Sequence, residues 1–405
     1  MAAAIEVDLD SPSGATAALR STRAVRQRAG LLTERARADG SRWFTVHDDA
    51  LDSAAELVAD VTRHHYPDLQ VPFHSRWRHF EAGGVDRRAE LLSGADATAL
   101  VDLTVVSVLL DAGAGPSWSY AEPGTGLQLS RSEGLGVASF HAFASGLFSS
   151  DPGDPLRVDA AALAELTEQQ LADAFQVDDT NPLVGLDGRV AILHRLGAVT
   201  AADPEVFGPE GRPGGLVDAV GGSSARASEL LSTVLNSLAP IWPGGSRIGD
   251  QPLGDCWRHS ALAGPGLTAG WMPFHKLSQW LTYSLLEPFG WAGITVTDLD
   301  ELTGLPEYRN GGLLLDTGVL RLRDRADSAR SVSVTDELVV EWRALTVTLL
   351  DELAPLVRRR LGVDADQMPL ARVLEGGTWA AGRALARRLR GGLPPLSIVS
   401  DGTVF

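Results

Sequence analysis

Lysine is nearly missing from this chain. Lys276 is the only lysine among 35 Lys and Arg residues, so the other 34 (35 less 1) are arginines. Cysteine also occurs once, at Cys256. That excludes an internal disulfide and a cysteine-built zinc site, and fits a reducing, cytoplasmic setting. Positive charge is scarce: 35 basic residues face 52 acidic ones, for a formal net charge of −17. A phosphate backbone needs a basic face, so nucleic acid is not expected as a partner. Micromolar binding of duplex DNA at about 150 mM salt, weakening steeply as salt rises, would overturn that expectation. No run reaches the roughly 18–20 apolar residues of a membrane span, and the opening MAAAIEVDLD is acidic where a signal peptide would be apolar. The nucleophile elbow G-x-S-x-G, the phosphate loop G-x-x-x-x-G-K and a strand-led dinucleotide fingerprint are all missing.

What is present is an ordinary globular composition, 44% hydrophobic and 21% charged over 405 residues. That length suits one large domain or two ordinary ones. The lone lysine is either a survivor of a drift toward arginine or a group doing what guanidinium cannot. An amine can lose its proton when buried and can attack a carbonyl carbon. Its setting favours function. Lys276 follows Pro273-Phe274-His275 and precedes the apolar run Leu277, Trp280, Leu281, Leu285, which predicts the first turn of a mostly buried helix. A charge there is costly unless paired or used.

Taken in order, residues 1–14 read as a loose tail, and residues 15–38 as one helix carrying Arg20, Arg23, Arg26, Arg28, Arg35 and Arg37 on a solvated face. A second helix over 51–64 stops before Tyr66-Pro67. The segment VPFHSRWRHFEAGGVDR, residues 71–87, crowds Phe73, His74, Arg76 and Trp77 together, a plausible floor for a polar ligand with a flat group. Its histidine spacings fit no common zinc pattern, so no metal and no other cofactor is expected. Residues 97–110 are apolar all round and predict a central helix. Residues 131–148 predict another, with Glu133 near its start either as a dipole-favoured carboxylate or as part of a site. Residues 208–222 are the best candidate for a linker or a surface loop. Glu307-Tyr308-Arg309 before Asn310-Gly311-Gly312 is either a salt-bridged corner or an active-site wall. Glu341 and Arg343 open a long apolar helix. Gly376-Gly377-Thr378 could seat an anion at a helix N-terminus. The apolar run 396–405, with Asp401 in a turn, predicts a docked end with Asp401 near a pocket mouth. The fold class expected is mainly α, one helical catalytic domain over 15–405 that could form two lobes flanking the site.

Four segments, VPFHSRWRHFEAGGVDR, FHKLSQW, LTGLPEYRNGG and SIVSDGTVF, resemble the family of uracil-catabolism proteins long catalogued as a domain of unknown function. The order F-x-K-x-x-Q, D-x-D-x-L-T, acidic-Tyr-Arg and E-x-R also resembles, more distantly, queuosine salvage proteins. Those are nucleotide N-glycosidases on a helical DNA-glycosylase-like scaffold with few short strands. Two departures are visible: Glu307 stands where those relatives carry Asp, and Asn310-Gly311-Gly312 follows Arg309. The resemblances imply an N-glycosyl hydrolase that frees urea from a small-molecule ribosylated ureide by breaking the ribose C1′–N bond. Glu307 would stabilise the cationic sugar. Lys276 or His275 would protonate the leaving nitrogen, unless Lys276 neutralises a phosphate or forms an imine. Tyr308, Arg309, Arg76 and Arg343 would contact phosphate or urea, with Phe73 and Trp77 covering the sugar. His74, Glu133, Glu341 and Asp401 complete the expected site. The alternatives are an amidohydrolase-like enzyme acting on an open pyrimidine product, and a non-enzymatic pathway scaffold.

Overall fold

The computed structural model describes residues 7–242 and 246–399. It is mainly α, with strands of two or three residues in two-stranded pairs. The described residues divide into two compact units, the first from residues 7–74, 246–279 and 298–399, the second from 75–242 and 280–297.

In the first unit, helices Thr22–Arg37 and Leu51–His65 both pack on the long helix Glu337–Leu361. The apolar faces of Thr22–Arg37 and Glu337–Leu361 meet in a core that joins Val25, Ala29 and Leu32 to Val340, Ala344 and Val347, with Met272 and Phe274 from the strand Trp271–Pro273 and the residue after it. Residues 15–38 are not one helix. Ser21 accepts from the Ala24 amide and restarts the chain as a new helix after Pro12–Leu19. A serine hydroxyl that satisfies a free amide competes with helix continuation, which explains the break. The arginines there are also more than a solvated face: Arg28 is buried on the Trp271 carbonyl, and Arg26 pairs with Asp351 at 2.8 Å. The expected loose tail is ordered from residue 7 on. Ser11 caps the helix Pro12–Leu19, and the Leu9 carbonyl accepts from Leu267 at 2.9 Å. Residues 1–6 lie outside the described residues.

Helix Tyr308–Asp316 lies against helix Trp379–Arg390. Glycine permits the approach: a Cβ on Gly382 would collide with the backbone carbonyl of Arg309, while one on Gly311 would sit 2.7 Å from the Trp342 ring on helix Glu337–Leu361. Gly382→Ala is therefore expected to cost about 1–3 kcal/mol by overpacking, read as a lowered denaturation midpoint. An unchanged midpoint would mean the two helices separate freely. Ahead of Trp379 the chain makes a π-helical turn, Leu374–Thr378, continuous with the helix. Gly376-Gly377-Thr378 is thus inside a helix and offers no helix N-terminus to an anion, contrary to the expectation from sequence. Ser397–Val399 pairs in parallel with Ser331–Ser333, and Leu396 is buried. Asp401 lies outside the described residues.

In the second unit, helix Ala97–Leu109 is buried on nearly every side, as its sequence predicts, and packs on helix Arg131–Ala144. Residues 208–222 are not a linker. Pro213 and Gly214 are buried, and Asp102 inside the central helix holds both the Gly214 amide at 2.6 Å and Arg212 at 2.7 Å. A polar anchor in an apolar helix has no periodic signature, so the pattern of glycines alone misleads. Helix Lys276–Trp291 belongs to the first unit through Gln279 and to the second from Trp280.

Candidate active site

Lys276 is placed by a residue the sequence reading did not single out, Asp255. The Asp255 carbonyl accepts from the Phe274 amide at 2.9 Å and the His275 amide at 3.2 Å, and its Oδ2 accepts from the Lys276 amide at 3.0 Å. Three consecutive backbone donors thus turn onto one residue. His275 takes a left-handed conformation, φ 50°, to allow it. Such backbone costs about 1–3 kcal/mol and persists where surroundings over-determine it. The surroundings here are an ion pair. Arg343 forks onto Asp255 at 2.8 and 2.7 Å, stacks 4.0 Å from the Phe274 ring centroid, and donates Nε to the Pro306 carbonyl at 3.3 Å. Burial opposes the charge on Asp255. The Arg343 guanidinium, the Lys276 amide and the Trp257 indole outweigh it and hold the carboxyl down at about 2.

The same frame joins the motifs that are distant in sequence. Gln279 accepts from the Thr303 amide at 2.8 Å and donates to the Thr303 hydroxyl at 2.6 Å. Pro306, held by Arg343, is followed directly by Glu307. Lys276 and Glu307 therefore leave one buried scaffold at fixed backbone positions.

Glu307 caps the helix Tyr308–Asp316, accepting from the Asn310 amide at 2.7 Å and the Arg309 amide at 2.9 Å. Its side chain is only 11% exposed and 3.8 Å from the Arg309 guanidinium. Arg309 lies against two rings, Tyr308 at 4.7 Å and Trp379 at 4.5 Å. His74 lies beside Trp379, ring centroids 6.3 Å apart, and bonds Glu375 at 2.7 Å. Phe73 stacks under Arg372 at 5.0 Å. Glu307, Tyr308, Arg309, Trp379 and His74 thus form one partly buried wall of alternating rings and charges, the pattern that binds a flat polar molecule.

Other expected site residues are taken up by structure. His275 is buried with Nε2 donating to the Leu19 carbonyl at 3.0 Å, and burial pushes its pKa down, so it is a neutral fixture of the frame. Arg343 uses all three nitrogens on Asp255 and Pro306 and positions Lys276 rather than touching phosphate or urea. Glu341 is fully buried among Ser41, Arg35 and His259. The His259 Nδ1 accepts from the Ala261 amide, which leaves Nε2–H to donate to Glu341 at 3.1 Å. In the second unit, Trp77 is 2% exposed, edge-on to Phe80 and Trp291, and donates to the Ser284 carbonyl. It is a core residue there, not the cover for a sugar. Arg76 is fully buried beside Asp111, with Glu133 in the first turn of its helix close enough to support the Arg76 charge. Among the described residues no three His, Cys, Asp or Glu side chains group so as to hold a metal, and no helix is long and apolar enough to cross a membrane.

Residues 18–405 match the family described as protein of unknown function (DUF1688). The chain belongs to that family. It is 39% identical over 409 residues to Protein urg3 of Schizosaccharomyces pombe, covering 96% of this chain and 98% of that one. It is 38% identical over 401 residues to Uracil catabolism protein 4 of Lachancea kluyveri, covering 88% and 90% of the two.

Three residues of the family member's site had no sequence signal of their own. Asp255 sits in a Gly254-Asp255-Cys256 stretch that reads as a turn. Glu375 and Trp379 lie on a helix segment whose glycines drew attention instead. An arginine such as Arg343, in the mostly apolar run from Leu338 to Leu350, was the available clue that a carboxylate had to be opposite it.

Proposed function

We propose that this chain acts in uracil catabolism as an N-ribosyl hydrolase, releasing urea from ribosylurea or its 5′-phosphate. The role in the pathway is supported by the name of the Lachancea kluyveri relative, which covers most of both chains. The reaction is supported by one observation above others: the Asp255–Arg343 pair and the Gln279–Thr303 bonds bring the Lys276 and Glu307 segments onto one rigid frame.

Breaking C1′–N leaves the bonding pair on the urea nitrogen and builds positive charge on the sugar. A fixed carboxylate near C1′ stabilises that charge and orients water. Glu307 takes this role, its orientation set by two backbone amides. The leaving nitrogen needs a proton, for which Lys276 is the donor. Water supplies the hydroxyl that ends on C1′ and restores the proton. Tyr308, Arg309 and Trp379 present ring faces and a guanidinium to the planar urea or the phosphate.

Purified protein is expected to release urea together with a reducing sugar from ribosylurea or its 5′-phosphate, with activity unchanged by a chelator. Urea released without free ribose or ribose phosphate would point to an amidohydrolase. No turnover, with Lys276 and Glu307 dispensable in cells, would point to a scaffold. Loss of activity on chelation, restored by zinc, would sink the metal-free mechanism.

A further inference from the structure

Among the buried N–H donors of the second unit without a hydrogen-bond acceptor are Arg76 Nη2 and Trp280 Nε1. A buried donor left unmade costs about 1–3 kcal/mol, more when charged. Such donors demand an explanation. The Arg76 guanidinium lies over the Trp280 ring, its carbon 5.7 Å from the ring centroid.

The remainder of Arg76 is held firmly. Ser139 donates to the Gly136 carbonyl at 2.8 Å, so Ser107 donates to Ser139 at 2.6 Å and accepts from Arg76 Nε at 2.7 Å. Nη1 lies 3.1 Å from the Ser132 carbonyl and 3.0 Å from His79 Nδ1. Gly136 presses its backbone on the group: a Cβ there would stand 2.7 Å from His79 Cβ and 3.4 Å from the guanidinium carbon. The Arg76 backbone amide donates to Ser284 on the helix that carries Trp280, at 2.9 Å. The guanidinium plane is therefore fixed with Nη2 left over, which is how a binding donor is held rather than how a packing arginine ends up.

Charge decides the class of ligand. Asp111 Oδ1 lies 2.9 Å from Nη1, and Glu133 adds a second negative charge nearby. Arg189 adds a second positive one, its own nitrogens turned to the Leu110 and Ala112 carbonyls. Two cations and two carboxylates leave no surplus for a phosphate. They leave two N–H groups that want an oxygen carrying no charge.

We propose that Arg76 Nη2 and Trp280 Nε1 form a paired donor site for one neutral carbonyl oxygen of the urea or ureide class. Both donors sit where such an oxygen is stabilised by two hydrogen bonds without burying a new ion. Beside the donors, His79 and Glu133 are only half-buried. The choice of a urea group, as opposed to another amide, rests on the hydrolase reading; the donor pair does not.

The test uses the full chain labelled with 15N at the tryptophan indoles, the Trp280 resonance assigned by its disappearance in Trp280→Phe. N-methylurea, well below denaturing concentration, is expected to move that resonance saturably, whereas inorganic phosphate leaves it in place. Calorimetry on Trp280→Phe, which keeps the ring packing and removes one donor, should show methylurea binding weakened several-fold, the size of one lost hydrogen bond. No saturable movement with methylurea overturns the proposal. So does movement with phosphate alone, which would make this an anion site, or equal methylurea affinity in wild type and Trp280→Phe. Saturable binding in a protein that releases no urea would sink the hydrolase and leave the donor pair standing. Urea release with an unmoved Trp280 resonance would do the reverse.

Discussion

Lys276→Arg is expected to lower kcat by ~10²-fold or more, the usual size of an acid–base contribution, while the protein stays folded. Folding is spared because the Lys276 backbone amide that Asp255 holds is unchanged by the substitution. Arginine is also as good a helix former as lysine. Chemistry is lost because guanidinium does not give up a proton in this range and its wider planar head misplaces the donor. The same variant separates the possible roles. A lysine that only neutralises a phosphate would survive as arginine with a raised KM and near-normal kcat. A lysine that forms an imine at C1′ would be trapped by borohydride in the wild type, and one that only donates a proton would not. Glu307→Gln is the companion. Glutamine keeps one acceptor for the helix cap, so stability should fall by about 1 kcal/mol at most, whereas the charge that faces the cationic sugar is gone. Near wild-type kcat in both variants would remove Lys276 and Glu307 from the site, whatever reaction the protein performs.

Removing Asp255 should have the largest effect on stability. Asp255→Ala leaves the Arg343 guanidinium buried without its partner, which costs about 3–5 kcal/mol. It also frees the Lys276 amide. Acid should reproduce part of this. The folded carboxyl is held at about 2 against an ordinary 3.8, so its contribution is complete above 3.8 and is lost as pH falls through about 2. The shift corresponds to roughly 2 kcal/mol by linkage. Guanidinium denaturation of wild type and Asp255→Asn measures it. The wild type should lose stability over that window, and the variant should lose less. Identical slopes for the two would mean that Asp255 does not carry the acid sensitivity.

Helix positions were legible wherever an apolar stripe met a plain stop signal. Residues 51–64 ended at Tyr66-Pro67 as expected, and residues 97–110 read as central because no face of them is polar. Reading failed where one side chain redirected the backbone. Ser21 splits a helix that composition would continue, and Asp102 pulls residues 212–214 inward from what their glycines present as a loop. The Lys276 and Glu307 segments were found because each joins rare chemistry to a helix start. The buried ion pair that relates them was not, since Asp255 and Arg343 are 88 residues apart and nothing local marks them as partners. The same holds for Arg76. From sequence its side chain reads as a phosphate or urea contact in an aromatic-rich segment, and only the fold reveals that it is buried with one nitrogen unused.

The order in which the chain is made follows from how its two units are cut. The described residues of the second unit, 75–242 and 280–297, can come together as soon as Thr295–Thr297 can pair with Ser224–Arg226. The first unit has to wait. Phe44–Val46 pairs with Leu320–Leu322, and the face of Thr22–Arg37 is covered by Glu337–Leu361. At ribosomal speed those partners arrive on the order of tens of seconds after the segments they cover. For that interval Val25, Ala29 and Leu32 are apolar surface on a nascent chain. The unit that carries Lys276 and Glu307 is therefore the last to fold and the one most dependent on being shielded while translation finishes.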